Sequence, residues 1–204
     1  MGLSAQELLA VLPPGVVTRG GLIKTTGGVW DRAETAGRLV ELSGVAALTM
    51  AFRLIRDSQK AGDPAAWVGT ASSIFFAPDA VAGGIDLNSL AVVRLRNSRD
   101  IPRAAERLLQ SGAFGVVVID LPKEADVPMP LQSRLVGLAQ THDTAVVFVT
   151  ARPRPLGSLV SLRAETRRIA AGRRRYRCEL EAVKDKRRGP GWVRETDCRG
   201  PAGL

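Results

Sequence analysis

Residues 37–62 follow the order of a phosphate-binding unit, with an apolar run, a glycine and then an amphipathic stretch. A phosphate-binding loop needs the pattern G-x-x-x-x-G-K-[ST], because backbone N–H groups hold the phosphates, the lysine neutralises them and the hydroxyl binds Mg²⁺. Counted from Gly44, the second glycine, lysine and hydroxyl positions hold Thr49, Met50 and Ala51. The spacing therefore predicts a degenerate phosphate-binding loop, followed by a helix that is retained for packing.

Asp120 ends the apolar run "GVVVID", where ATP-hydrolysing proteins carry a carboxylate that helps to hold Mg²⁺. An aspartate at the end of a strand also commonly stabilises the following turn, and Pro122 lies just beyond it. The lysine and the hydroxyl that would share the metal and the phosphate with this carboxylate are absent. We therefore favour a structural role for Asp120.

The positive charge is concentrated in the last quarter of the chain. Residues 1–150 hold 14 basic and 14 acidic side chains, whereas residues 151–204 hold 15 basic and 6 acidic ones, which gives the net charge of +9. Arginine suits bidentate contact with phosphate or carboxylate, so the pattern indicates a nucleic acid or an acidic protein surface as partner. A solvated basic face is the alternative. The candidate contact residues are Arg152, Arg154, Arg173, Arg174, Arg175, Arg187 and Arg188.

Metal, disulfide and membrane signals are weak in this sequence. Cys178 and Cys198 are not CxxC-spaced and the chain has 1 histidine, so neither a metal site nor a disulfide framework is expected. The apolar run at the start contains Glu7 and ends at Pro13 and Pro14, which makes it too short for a membrane span. We therefore expect a soluble cytoplasmic protein with no metal, no cofactor and no membrane partner.

Short β-branched runs alternate with amphipathic stretches between residues 38 and 150, which is the pattern of a parallel sheet covered by helices. The helix after residue 100 has an apolar stripe that includes Leu108 and Leu109, and Ser98 is placed to cap it. The predicted fold class is therefore α/β. The predicted strands are Arg38–Ser43, Ala65–Thr70, Leu90–Leu95, Gly115–Asp120 and Ala145–Thr150.

The pattern changes after residue 150. The prolines of "ARPRPLGS" predict a loop, and "RAETRRI" and "RYRCELEAVKDK" predict two antiparallel strands that extend the sheet. Cys178 falls on the apolar face of the second strand and is interpreted as a small core residue. The predicted organisation is an N-terminal helix and loop segment over 1–36, a core over 37–188 and a mobile tail over 189–204, with a short strand at Trp192–Glu195.

Several segments resemble the ATPase core of the RecA family in order and spacing. They are "GRLVELSG" to "QKAG", "AAWVG", "GIDLNSLAVVRL", "AAERLLQSGAFGVVVID", "AVVFVT" and "RCELEAVKDKRRGPG", and they run from residue 37 to about residue 190. The resemblance implies a RecA-like core whose mostly parallel central sheet is flanked by helices. It also implies that the water-activating acid falls near Ser72 and the phosphate-sensing glutamine near Ala151, so both functional residues are missing.

In lacking the phosphate-binding loop, the water-activating acid and the phosphate-sensing glutamine together, the chain resembles the ImuA-type proteins. These are SulA-related accessory factors of the bacterial SOS mutagenesis cassette. The ending "VKDKRRGPGWVRE" is also similar to theirs. The resemblance implies a pseudo-ATPase, not an enzyme, that acts in translesion DNA synthesis after DNA damage. The partners it implies are RecA, an ImuB-type Y-family polymerase homologue and an error-prone C-family DNA polymerase, with DNA as a further candidate for the basic end.

Two other functions are compatible with the sequence. One is SulA-like inhibition of the division GTPase FtsZ, although that role gives no reason for so many arginines. The other is a weak DNA-stimulated ATPase that binds nucleotide through backbone amides near Gly44 and through Asp120. For DNA, the composition predicts largely electrostatic contact, since the basic region offers only Tyr176 and Trp192 as aromatic rings.

Overall fold

The computed structural model describes residues 30–154, 156–172 and 175–199, with the backbone alone at the last position. The strands are β1 (Leu39–Gly44), β2 (Ala65–Thr70), β3 (Leu90–Leu95), β4 (Val116–Asp120), β5 (Ala145–Thr150), β6 (Leu162–Ala170), β7 (Arg175–Asp185) and β8 (Val193–Arg199). The helices are α1 (Arg32–Thr35), α2 (Ala47–Lys60), α3 (Ala77–Ala82), α4 (Ile101–Gln110) and α5 (Met129–Thr141). Short 3₁₀ turns lie at Leu87–Ser89 and Ser98–Asp100.

The described strands form one 8-stranded sheet in the order β3-β2-β4-β5-β1-β6-β7-β8. From β3 across to β6 all neighbouring strands are parallel, and β7 and β8 then add to the edge in antiparallel pairs. This arrangement confirms the predicted α/β class, with a mostly parallel sheet extended by C-terminal antiparallel strands.

Helix α2 covers one face of the sheet, and helices α4 and α5 cover the other. On the first face, Leu54 and Ile55 of α2 are fully buried in a cluster that includes Trp67 of β2. On the second face, Leu109 of α4 packs in a cluster that includes Phe148 of β5. Burying each such side chain contributes about 1.5–3 kcal/mol. Because the central strands β2, β4 and β5 are covered on both sides, their sequences are largely apolar.

Strands β2, β3 and β5 have the predicted bounds, β4 begins one residue later than predicted, and β1 both begins and ends one residue later. The prediction that Ser98 caps α4 is wrong. Ser98 begins a 3₁₀ turn that precedes the helix, and the N-cap position is held by Asp100, which makes no side-chain capping bond. An extra turn of chain therefore separates Ser98 from the first helical residue.

The C-terminal segment contains more structure than the sequence indicated. The predicted hairpin is present as β6 and β7, and Cys178, Leu180 and Ala182 are buried on one face of β7. Strand β8 lies within the segment predicted as a mobile tail and continues past the end of the predicted short strand. It pairs with β7 along its length, and Trp192 and Val193 at its start are buried. These contacts link residues that are distant in sequence, so a local pattern does not reveal them.

Some predictions fall on residues outside the described ranges. They concern Arg173 and Arg174, most of the N-terminal segment (residues 1–29) and the last five residues (200–204). Within the described ranges, none of the helices has the length and apolarity that a bilayer crossing requires.

Candidate functional site

The carboxyl end of β1 is where a phosphate-binding loop would begin, and here it is packed against β6. Gly44 has φ = 97°, and a Cβ atom at this position would lie 2.3 Å from the carbonyl oxygen of Thr166. The Thr166 hydroxyl donates to the carbonyl of Ser43 at 2.7 Å and accepts from the N–H of Ala46 at 3.2 Å. Only residues 45 and 46 separate β1 from α2. One of the few amides that could face an anion is therefore already bonded to a threonine side chain.

The residue at the lysine position, Met50, belongs to the core. Its side chain is fully buried, as is that of Ala51 at the hydroxyl position. The carbonyl of Met50 accepts a hydrogen bond from Nε1 of the buried Trp30 at 3.1 Å. Thr49, at the second glycine position, is half-buried in the first turn of α2. At the lysine and hydroxyl positions, the start of α2 thus offers apolar side chains that face the protein interior.

Asp120 holds the loop that follows β2. Its Oδ2 accepts from Ser73 Oγ at 2.5 Å and from the N–H of Ile74 at 2.9 Å. Ser73 Oγ accepts in turn from Nε1 of Trp67 at 3.0 Å. These bonds give the carboxylate a structural task in the neighbouring loop, rather than in the turn after β4 that the sequence indicated.

The positions that the resemblance assigns to water activation and phosphate sensing hold small uncharged residues. The hydroxyls of Ser72 and Thr70 lie 2.9 Å apart, and Ala151 is exposed just beyond the end of β5. Neither Ser72 nor Ala151 carries a carboxylate or an imidazole. These two positions therefore provide no general base near the carboxyl ends of β2 and β5.

Arg154, one of the predicted contact residues, is bonded within the protein. Its guanidinium donates to two carbonyls of the loop after β4, at 3.0 and 2.6 Å, and its N–H donates to Glu41 Oε1 at 2.7 Å. Glu41 is fully buried and also pairs with Arg163 at 2.5 Å. A glutamate inside a strand that is apolar on both faces needs such partners, and this was the available sequence signal.

A second buried ion pair joins the start of β1 to the end of β7. Arg38 contacts Asp185 Oδ1 at 2.6 Å and donates to Ser161 Oγ at 2.9 Å. Asp185 also accepts from Nε1 of Trp192 at 3.0 Å and from the N–H of Arg187 at 2.8 Å. Burial alone would raise the pKa of Asp185, but the bonds from the Arg187 N–H and the Arg38 guanidinium outweigh it and leave the pKa below its ordinary value.

Arg187 and Arg188 are likewise tied to the body of the protein, near α1. The guanidinium of Arg187 donates to the carbonyl of Ala36 at 3.0 Å. Arg188 forms an ion pair with Glu34 and lies 3.7 Å from Asp185. Both side chains remain partly exposed, but a phosphate would have to compete with these internal contacts.

The two aromatic rings of the basic region, Tyr176 and Trp192, are each in contact with arginines. Trp192 is 6% exposed, and Arg188 and Arg194 lie 4.6 and 4.8 Å from its ring centroid. Arg168 lies 5.5 Å from the ring centroid of Tyr176. A nucleic-acid base would need to displace these cations, so neither ring is an open platform.

Two of the predicted contact arginines keep the exposure that the sequence suggested. Arg152 and Arg175 are exposed, and their side chains form no hydrogen bond or ion pair with any described residue. Among the described members of the predicted set, they are therefore the ones that could contact a polyanion without breaking an internal bond.

The two cysteines lie on neighbouring strands with their sulfur atoms 2.9 Å apart. Burial raises the pKa of the Cys178 thiol to about 12, and the adjacent Cys198 reinforces the shift. A thiol with this pKa is not a nucleophile at neutral pH, in agreement with the interpretation of Cys178 as a core residue. Among the described residues, no three His, Cys, Asp or Glu side chains are grouped so as to hold a metal ion.

Comparison with known proteins finds RecA proteins among the curated relatives. RecA of Picosynechococcus sp. is 31% identical over 153 residues, covering 68% of this chain and 42% of the relative. RecA of Cytophaga hutchinsonii is 33% identical over 128 residues, covering 56% of this chain and 36% of the relative. Among solved structures, the RadB recombinase matches with a TM-score of 0.60 at 14% identity, covering 79% of this chain and 87% of that chain. No protein-family model matches the chain.

These comparisons support the RecA resemblance at a coarse level. The chain has RecA homologues at low identity, and its α/β fold is like that of RadB. It spans less than half the length of these RecA relatives. The likeness to RadB, at 14% identity, concerns the fold alone.

Proposed function

We propose that this RecA-like chain is a non-catalytic accessory protein of DNA repair, an ImuA-type factor that supports translesion synthesis after DNA damage. Its proposed partners are RecA, an ImuB-type Y-family polymerase homologue and an error-prone C-family DNA polymerase, in the cytoplasm. The RecA relatives and the recombinase-like fold support a role in repair or recombination. The ending "VKDKRRGPGWVRE" supports the ImuA-type assignment within that class.

The proposal that the protein is not catalytic rests on the carboxyl end of β1, where contacts within the protein take the place of a phosphate site. ATP hydrolysis depends on positioned phosphates, a bound Mg²⁺ and an oriented water. Here the Thr166 hydroxyl bonds the Ala46 amide, and the lysine position is filled by the buried Met50. Asp120, which could otherwise help to hold Mg²⁺, is bonded to Ser73. Each of these contacts favours a scaffold over a phosphate site.

A non-catalytic accessory protein acts by binding other molecules through its surface. The direct test of the proposal is therefore whether the chain forms a complex with its proposed partners. The tagged full chain is mixed with RecA, and separately with the ImuB-type homologue, at micromolar concentration and about 0.15 M salt. We expect at least one of the two proteins to be retained. An unrelated protein of similar isoelectric point (10.7 for this chain) is the control for charge alone. Failure to retain either partner would contradict the proposal, as would equal retention by the control.

A further inference from the structure

A groove of about 600 Å³ lies at the carboxyl ends of β2 and β3. These strands are at the opposite edge of the sheet from the basic C-terminal strands. Its lining is rich in groups that donate hydrogen bonds to anions: Thr70, Ser72, Arg96, Asn97, Ser98 and Arg99. Ligands of open α/β sheets characteristically bind beyond the carboxyl ends of the strands. The position and the lining together indicate an anion-binding surface.

A row of arginines continues from this groove along α4. Arg99 lies in the 3₁₀ turn that precedes α4, and Arg103 and Arg107 follow on α4, four residues or about 6 Å apart along the helix. All three are exposed, whereas Ala105 and Leu109 on the other side of the helix are buried. The row therefore begins at the groove, in the 3₁₀ turn, and continues on the solvent face of α4.

The guanidinium groups of this row form no hydrogen bond or ion pair with any described residue, and the same holds for Arg96. In contrast, Arg154, Arg163 and Arg188 near the C-terminal strands are bonded within the protein. An arginine without an internal partner can bind a phosphate at no cost in lost contacts. The sequence drew attention to the C-terminal charge surplus, but among the described residues Arg96, Arg99, Arg103 and Arg107 form a second group of unbonded arginines, on the segment that follows β3.

We propose that the groove and the arginine row bind the phosphate backbone of single-stranded nucleic acid. Single strands combine backbone phosphates with unstacked bases, and proteins bind them through a basic track and an exposed aromatic ring. The loop that supplies Ser72 to the groove also carries Phe76, whose side chain is 57% exposed. This surface is independent of the proposed accessory role, since it would bind nucleic acid whether or not the chain contacts a polymerase.

Two carboxylates limit the strength of this site. Asp100 and Glu124 also line the groove, and both are exposed. Their charges oppose the binding of a polyanion, so affinity is set by the difference between the arginines and these groups. Removing the two negative charges should therefore strengthen binding.

The experiment measures fluorescence anisotropy of a labelled 20-nucleotide thymidine strand over a series of salt concentrations. The triple variant Arg99→Ala, Arg103→Ala, Arg107→Ala is compared with the matched triple Arg152→Ala, Arg175→Ala, Lys186→Ala, which also removes three exposed cations. Since single-strand binding loses about 0.7 in salt slope per contact, the first triple should lower the slope by about 2 and weaken binding tenfold or more at low salt. The matched triple should change the slope by less than half as much.

Two further variants test the parts of the proposal separately. Asp100→Asn with Glu124→Gln should tighten binding and steepen the salt slope. Phe76→Ala should weaken binding about fivefold with an unchanged slope, because stacking releases no counterions. The proposal is overturned if both triples act equally, if the carboxylate variant binds no better, or if Phe76→Ala has no effect. Tighter binding of a 20-base-pair duplex or of poly-glutamate would also overturn it.

Discussion

Around β6, β7 and β8, the arginines Arg38, Arg154 and Arg188 are bonded to carboxylates and carbonyls of neighbouring elements, whereas Arg99 and Arg103 beside β3 have no partner among the described residues. The first region holds most of the charge surplus and the second holds the open groove. The comparison shows that the number of arginines in a segment does not tell how many can bind a ligand. That number depends on which carboxylates and carbonyls the fold places next to each guanidinium group. Several described arginines of the C-terminal region, such as Arg163 and Arg188, are instead bonded to carboxylates of β1 and α1.

The largest effect that would test this comparison is expected at Arg38. Arg38→Met leaves Asp185 buried without its cation, and breaking a buried ion pair in this way costs about 3–5 kcal/mol. Arg99→Met, which removes an exposed cation, should change the free energy of unfolding by no more than about 0.5 kcal/mol. Urea unfolding measures both variants. Equal losses of unfolding free energy in the two variants would show that Arg38 is no more important to stability than the unbonded Arg99, and would contradict the comparison.

The next effect concerns the closed end of β1. Gly44→Ala introduces a Cβ 2.3 Å from the Thr166 carbonyl at positive φ, which combines a clash with a left-handed backbone. We expect a loss of about 3 kcal/mol in the free energy of unfolding. Gly62→Ala is the matched control, because its φ is 89° but its Cβ would meet nothing within 4 Å. That variant should lose about 1–2 kcal/mol, from the backbone alone. A Gly44 variant as stable as the Gly62 variant would mean that β1 and β6 are not closely packed here.

A smaller loss is expected from Asp120→Asn, which weakens the bonds to Ser73 and Ile74. We expect about 1–2 kcal/mol, whereas the exposed Asp126→Asn should be close to neutral. If Asp120 has this structural task, Mg²⁺ should leave the melting temperature of the unmodified protein unchanged. A rise in melting temperature with Mg²⁺ that is lost in Asp120→Asn would instead identify a metal ligand.

The pH dependence of stability gives the smallest and most specific test. The pKa of Asp185 is lowered in the folded protein, so its carboxylate stabilises the fold above the unfolded-state pKa, and that contribution is lost as the pH falls through the folded pKa. The difference in unfolding free energy between the unmodified protein and Asp185→Asn should therefore shrink between pH 7 and pH 3. The exposed Asp86, whose pKa is also lowered, is a matched control and should show a smaller change. A difference that is constant with pH would contradict the role of the ionised pair.

Much of the fold was predictable because the central parallel strands β2, β4 and β5 are buried on both faces. Runs such as Ala65–Thr70 and Ala145–Thr150 are apolar throughout, so periodicity and length located them to the residue. Strand β8 was underestimated because it is stabilised by pairing with β7 and by the burial of Trp192. Local patterns carry no information on such contacts.

The candidate site was predictable in residue type but less so in geometry. The missing lysine and hydroxyl at Met50 and Ala51 are visible in the sequence, whereas the contact of Thr166 with Gly44 joins residues more than a hundred positions apart. The sequence also placed Arg103 and Arg107 on the outer face of a predicted helix, whereas the position of Arg99 in the preceding 3₁₀ turn came from the structure. The sequence did not show that these arginines lack internal partners among the described residues, because that depends on which side chains the fold places near them.

The central claim is that the carboxyl end of β1 is a structural junction and not a nucleotide site. Titration of the full chain with a fluorescent ATP analogue, with and without Mg²⁺ and with RecA measured in parallel, tests it most directly. The account predicts no saturable Mg²⁺-dependent signal from this chain at analogue concentrations that saturate RecA. Saturable Mg²⁺-dependent binding that unlabelled ATP displaces would contradict it.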